Sequence, residues 1–130
     1  MLRIGQIGIR CRDLQRSLSF YRDILGLEEF MRLEIDGAQV IILRAGSVDV
    51  ELIQASPTEE PLQVEGHCGL NHFALFVRNI DEMVRGLKEK GVKILSEPRE
   101  APKDIWGAFV EGPDGVRIEL IQFTGERGGR

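Results

Sequence analysis

The sequence predicts an α+β fold of two successive modules, each a strand, a helix and three further strands. Three observations predict it. The tetrapeptide Glu-Leu-Ile-Gln occurs twice, at Glu51–Gln54 and at Glu119–Gln122, 68 residues apart. The segments that open the two halves align at an offset of 66, which sets Gln6 against His72 and Asp13 against Asn79. Around these landmarks, apolar residues recur with period two, except in one stretch per half where the period is helical. Two small sheets should associate into one body, because neither would be stable alone.

Each element has a local reason. Arg3–Cys11 alternates, with Ile7, Ile9 and Cys11 on one side and Gln6, Gly8 and Arg10 on the other. Asp13 is suited to cap a helix, since its carboxylate can accept from first-turn amides. Leu14, Leu18, Tyr21 and Leu25 form one apolar stripe, and Gly26 is placed to stop it. Strands are expected at Glu28–Ile35 and Gln39–Arg44, joined by the hairpin dipeptide Asp36-Gly37. Ala45-Gly46-Ser47 turns the chain into Val48–Gln54. Residues 56–69 hold Pro57, Pro61, Gly66 and Gly69 and are expected to link the modules. The second module, about 70–123, repeats the plan. It has a strand at Leu70–Val77, a helix capped by Asn79 or Asp81 and carrying Ile80, Met83, Val84 and Leu87, and a stop at Gly91. Strands follow at Val92–Leu95 and Ile105–Glu111, then a Pro113-Asp114-Gly115 turn and a last strand, Val116–Phe123. Residues 124–130 are polar and glycine-rich and are expected to be a disordered tail.

Composition narrows the function classes. The 130 residues carry a net charge of −4, which argues against nucleic acid or an anionic membrane as partner. No run approaches the roughly 18 apolar residues of a membrane span. The segment MLRIGQIGIRCRD lacks an apolar stretch with a small-residue cleavage site, so no signal peptide is expected and the cytoplasm is the expected compartment. Cys11 and Cys68 lack metal-finger spacing. Cys11 should be a buried thiol, and His67 and Cys68 should be loop residues.

Strand parity places Gln6, Glu51, His72 and Glu119 on sheet faces not covered by helices. If the two sheets curl around a shared concavity, the four can converge. One imidazole, two carboxylates and one amide oxygen make a hard, oxygen-rich set. It suits a divalent ion of higher coordination rather than a closed structural zinc site. A carboxylate beside such a Lewis acid can remove a proton alpha to a carbonyl. Taken singly, a lone histidine in an apolar strand is more often a hydrogen-bonded core residue, and glutamates on an open sheet face are usually just solvated. Their equivalent places in the two halves favour a site. Phe76, Trp106 and Phe109 are the aromatic candidates for stacking on a substrate, against an ordinary role in the core.

The segments QIGIRCRDLQRSLSFYRDILGLEEF, GLNHFALFVRNIDE and GPDGVRIELIQ resemble the vicinal-oxygen-chelate superfamily, also called the glyoxalase/bleomycin-resistance/dioxygenase family. The resemblance covers about residues 3–123. It implies a single domain in which two βαβββ modules form an open, cup-shaped sheet. It also implies metal ligands at Gln6, Glu51, His72 and Glu119. The ion expected is zinc or nickel, with manganese, cobalt, iron and magnesium compatible. Gln at the first ligand position, followed by Glu, His and Glu, resembles glyoxalase I of the animal type. Methylmalonyl-CoA epimerases typically carry His first and Gln second, and extradiol dioxygenases and fosfomycin-type transferases carry His first.

Arg10 matches an arginine that in glyoxalase I binds a glutathione carboxylate, whereas Ala55 stands where an asparagine is usual. Glutathione or another thiol is therefore the implied cosubstrate. The implied reaction turns a 2-oxoaldehyde–thiol hemithioacetal into a 2-hydroxyacyl thioester, with Glu119 or Glu51 as base. Arg10, Phe76 and Trp106 are the substrate-binding candidates. The alternatives are an epimerase of an acyl compound and a metal-free module that sequesters a small molecule or antibiotic. A homodimer is expected, with the site within one chain or shared between two.

Overall fold

The computed structural model describes residues 1–101 and 104–123. The chain divides into two compact units, Met1–Pro61 and Leu62–Arg130. The boundary falls inside the expected linker, so 56–61 goes with the first unit and 62–69 with the second. The expected disordered tail, 124–130, lies outside the described residues. No described helix is long and apolar enough to cross a membrane.

The first unit contains β1 (Gln6–Cys11), α1 (Leu14–Leu18), a π-helical segment (Ser19–Ile24), β2 (Glu28–Ile35), β3 (Ala38–Ala45) and β4 (Val48–Gln54). Its sheet runs β1-β4-β3-β2. The β1–β4 pair is parallel and the others antiparallel. Asp36 and Gly37 both have positive φ, 50° and 81°, which closes the expected two-residue hairpin. The second unit contains β5 (Phe73–Phe76), α2 (Ile80–Glu89), β6 (Lys93–Ala101), β7 (Ile105–Glu111) and β8 (Arg117–Phe123). Its order, β5-β8-β7-β6, repeats that of the first unit, with β5–β8 parallel. The architecture is α+β, two four-stranded mixed sheets with few helices, as the repeat predicts.

Four elements differ from expectation. The ladders begin later: β1 at Gln6, and β5 at Phe73, which leaves His72 just ahead of its strand. β6 continues through Pro98 to Ala101, because register shifts between Ile94 and Ser96 and between Ser96 and Arg99 let the proline sit in an irregular stretch of ladder. The first helix widens after one turn. Leu25 N–H reaches the carbonyl of Phe20, five residues back, at 2.9 Å. This widening buries the adjacent Phe20 and Tyr21 together, edge to face at 4.9 Å. Gly26 and Gly91 end the two helices at φ 86° and 80°. Asn79, not Asp81, caps α2 by accepting from Glu82 N–H at 3.0 Å.

Parity decides what is core. Ile9, Cys11, Ile41, Leu43, Val50 and Leu52 are buried in the first unit, and Ala108, Val110, Ile118 and Leu120 in the second, with Leu18, Tyr21, Ile80, Val84 and Leu87 from the helices. The repeated Glu-Leu-Ile-Gln also ties each helix to its sheet. Gln54 Oε1 accepts from Leu14 N–H at 2.9 Å, and Gln122 Oε1 accepts from Ile80 N–H at 2.8 Å. In each unit the amide satisfies the first orphan donor of the helix. Gln122 is fully buried.

Two stability predictions follow from these contacts. Replacing Gln122 with Leu strands the Ile80 N–H and should lower unfolding free energy by about 1–3 kcal/mol, read as a lower urea midpoint at unchanged m. The second concerns Glu29. Hydrogen bonds from Arg32 first and Arg22 next hold its carboxyl at about 2, against an ordinary 4.5. That contribution is complete above the ordinary glutamate range and is lost as pH falls through about 2. Native Tm should therefore drop more than that of Glu29→Gln between about pH 5 and pH 2.

Candidate functional site

The helix-free face of the second sheet gathers titratable and aromatic groups by register alone. Ala74 pairs with Glu119 across β5–β8, and Phe109 pairs with Glu119 across β7–β8. His72, one residue ahead of β5, shares this face. Its Nε2 lies 3.0 Å from Glu119 Oε1, and its Nδ1 lies 2.6 Å from Asn71 Oδ1. Phe109 meets the imidazole edge to face, with centroids 4.9 Å apart. Both side chains are half-buried, at 32% and 23% exposure.

Gly107 makes room for the carboxylate. A Cβ built there would stand 3.2 Å from Glu119 Oε2. A glycine inside a strand often marks such a close approach, and this signal was available in the sequence. Phe76 is on the same face, 73% exposed and edge to face with Phe123 at 5.3 Å.

The first unit presents the corresponding pair. Gln6 opens β1 opposite Asp49, and Gly8 pairs with Glu51, so Gln6 and Glu51 project from one face of adjacent parallel strands. Glu51 Oε1 lies 3.7 Å from where a Cβ on Gly8 would be. Ile42 is its cross-strand neighbour on β3. Among the described residues no group of three or more His, Cys, Asp or Glu side chains is poised to hold a metal. Each unit instead offers a pair. The 3.0 Å between Nε2 and Oε1 fits two ligands set about 2.0–2.2 Å from one divalent ion, so the His72–Glu119 pair passes the test of fit.

Two of the substrate-binding candidates have placements the sequence did not anticipate. Arg10 is on the same face as Gln6 and Glu51 by parity, but it is engaged. Its Nε and Nη2 donate to the two oxygens of Glu59, each at 2.6 Å. Glu59 also accepts from Ser56 N–H at 2.8 Å. The Arg10 hydrogen bond, ahead of the Ser56 contacts, holds its carboxyl at about 2. Trp106 falls on the side of the core role that was set beside stacking for it. It pairs with Gln122 across β7–β8 and shares the parity of the buried Ala108 and Val110, so it is on the helix side of the sheet. Phe109 is the β7 aromatic on the His72 side.

Cys11 is buried, with Sγ 3.4 Å from the Ile9 carbonyl oxygen. Cys68 and His67 are exposed, with His67 Nδ1 3.1 Å from the Glu65 carbonyl oxygen. Sequence reasoning missed Asn71, Gly107 and Glu59 as neighbours of candidate residues.

Residues 3–120 match the family model described as Glyoxalase/Bleomycin resistance protein/Dioxygenase superfamily. The chain is 31% identical over 126 residues to a probable lactoylglutathione lyase of Synechocystis sp., covering 92% of this chain and 94% of that protein. It is 29% identical over 126 residues to the mitochondrial methylmalonyl-CoA epimerase of Mus musculus, covering 84% of this chain and 71% of that protein. It resembles the solved trypanothione-dependent glyoxalase I of Leishmania major with a TM-score of 0.77 at 28% identity, covering 94% of this chain and 87% of that one.

The glycine contacts make a graded prediction. Gly107→Ala should push the Glu119 carboxylate aside by a few tenths of an ångström, and zinc held by Glu119 would bind roughly tenfold more weakly, the scale seen when a ligand's surroundings are altered. Gly8→Ala meets Glu51 at ordinary contact distance and should change it less. Titration calorimetry on both variants, with circular dichroism as a control for folding, checks the order.

Proposed function

Because the chain belongs to the glyoxalase/bleomycin resistance protein/dioxygenase superfamily, we propose that it is a metal-dependent lyase or isomerase that moves a proton at a carbon beside a carbonyl. Its relatives include proteins named as lactoylglutathione lyase and methylmalonyl-CoA epimerase, which supports an enzymatic role. The observation that carries the reading is the His72–Glu119 pair, an imidazole and a carboxylate 3.0 Å apart on an open sheet face. Gln6, Glu51, His72 and Glu119 are the residues that would hold a divalent ion. When bound, such an ion polarises adjacent substrate oxygens.

The remaining chemistry belongs to the side chains. Glu119 presents Oε1 to His72 and Oε2 toward Gly107. One carboxylate, Glu119 or Glu51, takes the carbon-bound proton and becomes the neutral acid. It then returns the proton to the neighbouring carbon, so that nothing is consumed. In the glyoxalase I form, a 2-oxoaldehyde–thiol hemithioacetal becomes a 2-hydroxyacyl thioester. The bidentate Glu59–Arg10 pair and Ala55 favour a thiol other than glutathione. Epimerisation of an acyl compound is the second reading. There one of the two carboxylates takes the proton and the other returns one to the opposite face of the same carbon, and the similarity to the epimerase favours it. Phe76, exposed on the His72 face, is the aromatic surface for an apolar part of the substrate.

Elemental analysis of untagged protein should find a divalent ion that is lost in His72→Ala. Glu119→Gln and Glu51→Gln should stay folded and lose turnover by about 100-fold or more. The assays are methylglyoxal with a panel of thiols, and acyl thioesters run in deuterated water. Full activity in both variants sinks the mechanism. Acyl thioester product that gains no solvent deuterium at the alpha carbon argues against the epimerase form, whereas the single-carboxylate glyoxalase I form can carry the substrate's own proton to product.

A further inference from the structure

Asn71 Oδ1 lies 2.6 Å from His72 Nδ1. A carboxamide oxygen can only accept, so this contact is a hydrogen bond when Nδ1 carries the hydrogen. In a neutral imidazole the other nitrogen then holds a lone pair. That nitrogen, Nε2, faces Glu119 Oε1 at 3.0 Å, and a carboxylate oxygen is also an acceptor. Without Asn71 the opposite tautomer would suit the pair better, with Nε2–H donating directly to Oε1.

The local backbone makes the Asn71 contact possible. Successive side chains on a strand point to opposite faces, so neighbours in a ladder rarely meet. Residues 70–72 precede the β5 ladder, which begins at Phe73, and Gly69 turns the chain just before them at φ 128°. The internal repeat supplies a comparison. At the same offset of 66, Gly5 stands for Asn71 and Gln6 for His72. Glutamine offers an amide oxygen whatever its surroundings and has no tautomer to set. The orienting side chain is present only in the half whose candidate ligand needs orienting.

We propose that Asn71 is a positioning residue that fixes the tautomer of His72, so that Nε2 is offered as a lone pair to a divalent cation shared with Glu119. This rests on the reading of His72 and Glu119 as ion ligands. The tautomer itself can be tested apart from that reading.

The chain has only two histidines, so His67→Gln leaves the His72 ring as the one imidazole signal. Long-range nitrogen–proton correlation spectra of zinc-free, nitrogen-15-labelled protein above pH 8, where an ordinary imidazole is neutral, report which nitrogen is protonated. The native side chain should show Nδ1–H. Asn71→Ala should move the proton to Nε2, and Asn71→Asp, whose carboxylate also accepts, should keep it on Nδ1. By titration calorimetry zinc should bind Asn71→Ala about 10–100-fold more weakly than native protein, with Asn71→Asp close to native.

An Nε2–H tautomer in the native chain overturns the proposal. So does a tautomer that Asn71→Ala leaves unchanged. If the tautomers behave as expected and the native protein binds no zinc, manganese or nickel, the positioning of His72 stands and the ion-dependent function fails.

Discussion

The amide of one glutamine per unit is the interaction from which the rest of the architecture follows. Gln54 and Gln122 end the repeated tetrapeptide, and each accepts from the first backbone N–H of the helix packed on its sheet. A strand has only two faces. Once the amide has seated the helix on one of them, the glutamate three residues earlier must emerge on the other. The same four residues thus set the core, through Leu52 and Leu120, and the chemistry, through Glu51 and Glu119. The parallel pairs β1–β4 and β5–β8 complete the arrangement by setting Gly8 beside Glu51 and Ala74 beside Glu119.

Much of this was legible before any coordinates. The hairpin at Asp36-Gly37, the caps at Asp13 and Asn79 and the glycine stops depend on local chemistry and were read correctly. The faces of Gln6, Glu51, His72 and Glu119 follow from counting in twos. Trp106 yields to the same count. Ala108 and Val110 are core residues, so Trp106 is on their side, which favours the core role over stacking. Other features depend on distant parts of the chain. The Glu59–Arg10 fork joins residues 49 apart in sequence, and no local pattern announces it. The contact of Asn71 with His72 arises because the ladder starts at Phe73, three residues later than the alternation suggests.

The similarity to a lactoylglutathione lyase and to an epimerase, each at about 30% identity, fits a scaffold that separates tasks. Sheet register holds a carboxylate against an imidazole. The aromatic groups on that face are Phe76 and Phe109. Fold and reaction are linked through such side chains rather than through topology.

The widened turn at Ser19–Ile24 also bears on how the two halves are related. From cap to glycine stop, Asp13 to Gly26 spans thirteen steps, whereas Asn79 to Gly91 spans twelve. A helix of fixed pitch would carry one surplus residue as a rotation of about 100° in everything downstream, turning Leu25 and the entry to β2 away from the sheet. A single π-type turn absorbs the surplus in place. The two helical segments therefore differ by one residue between cap and stop, and the π-type turn takes up that residue within the first helix.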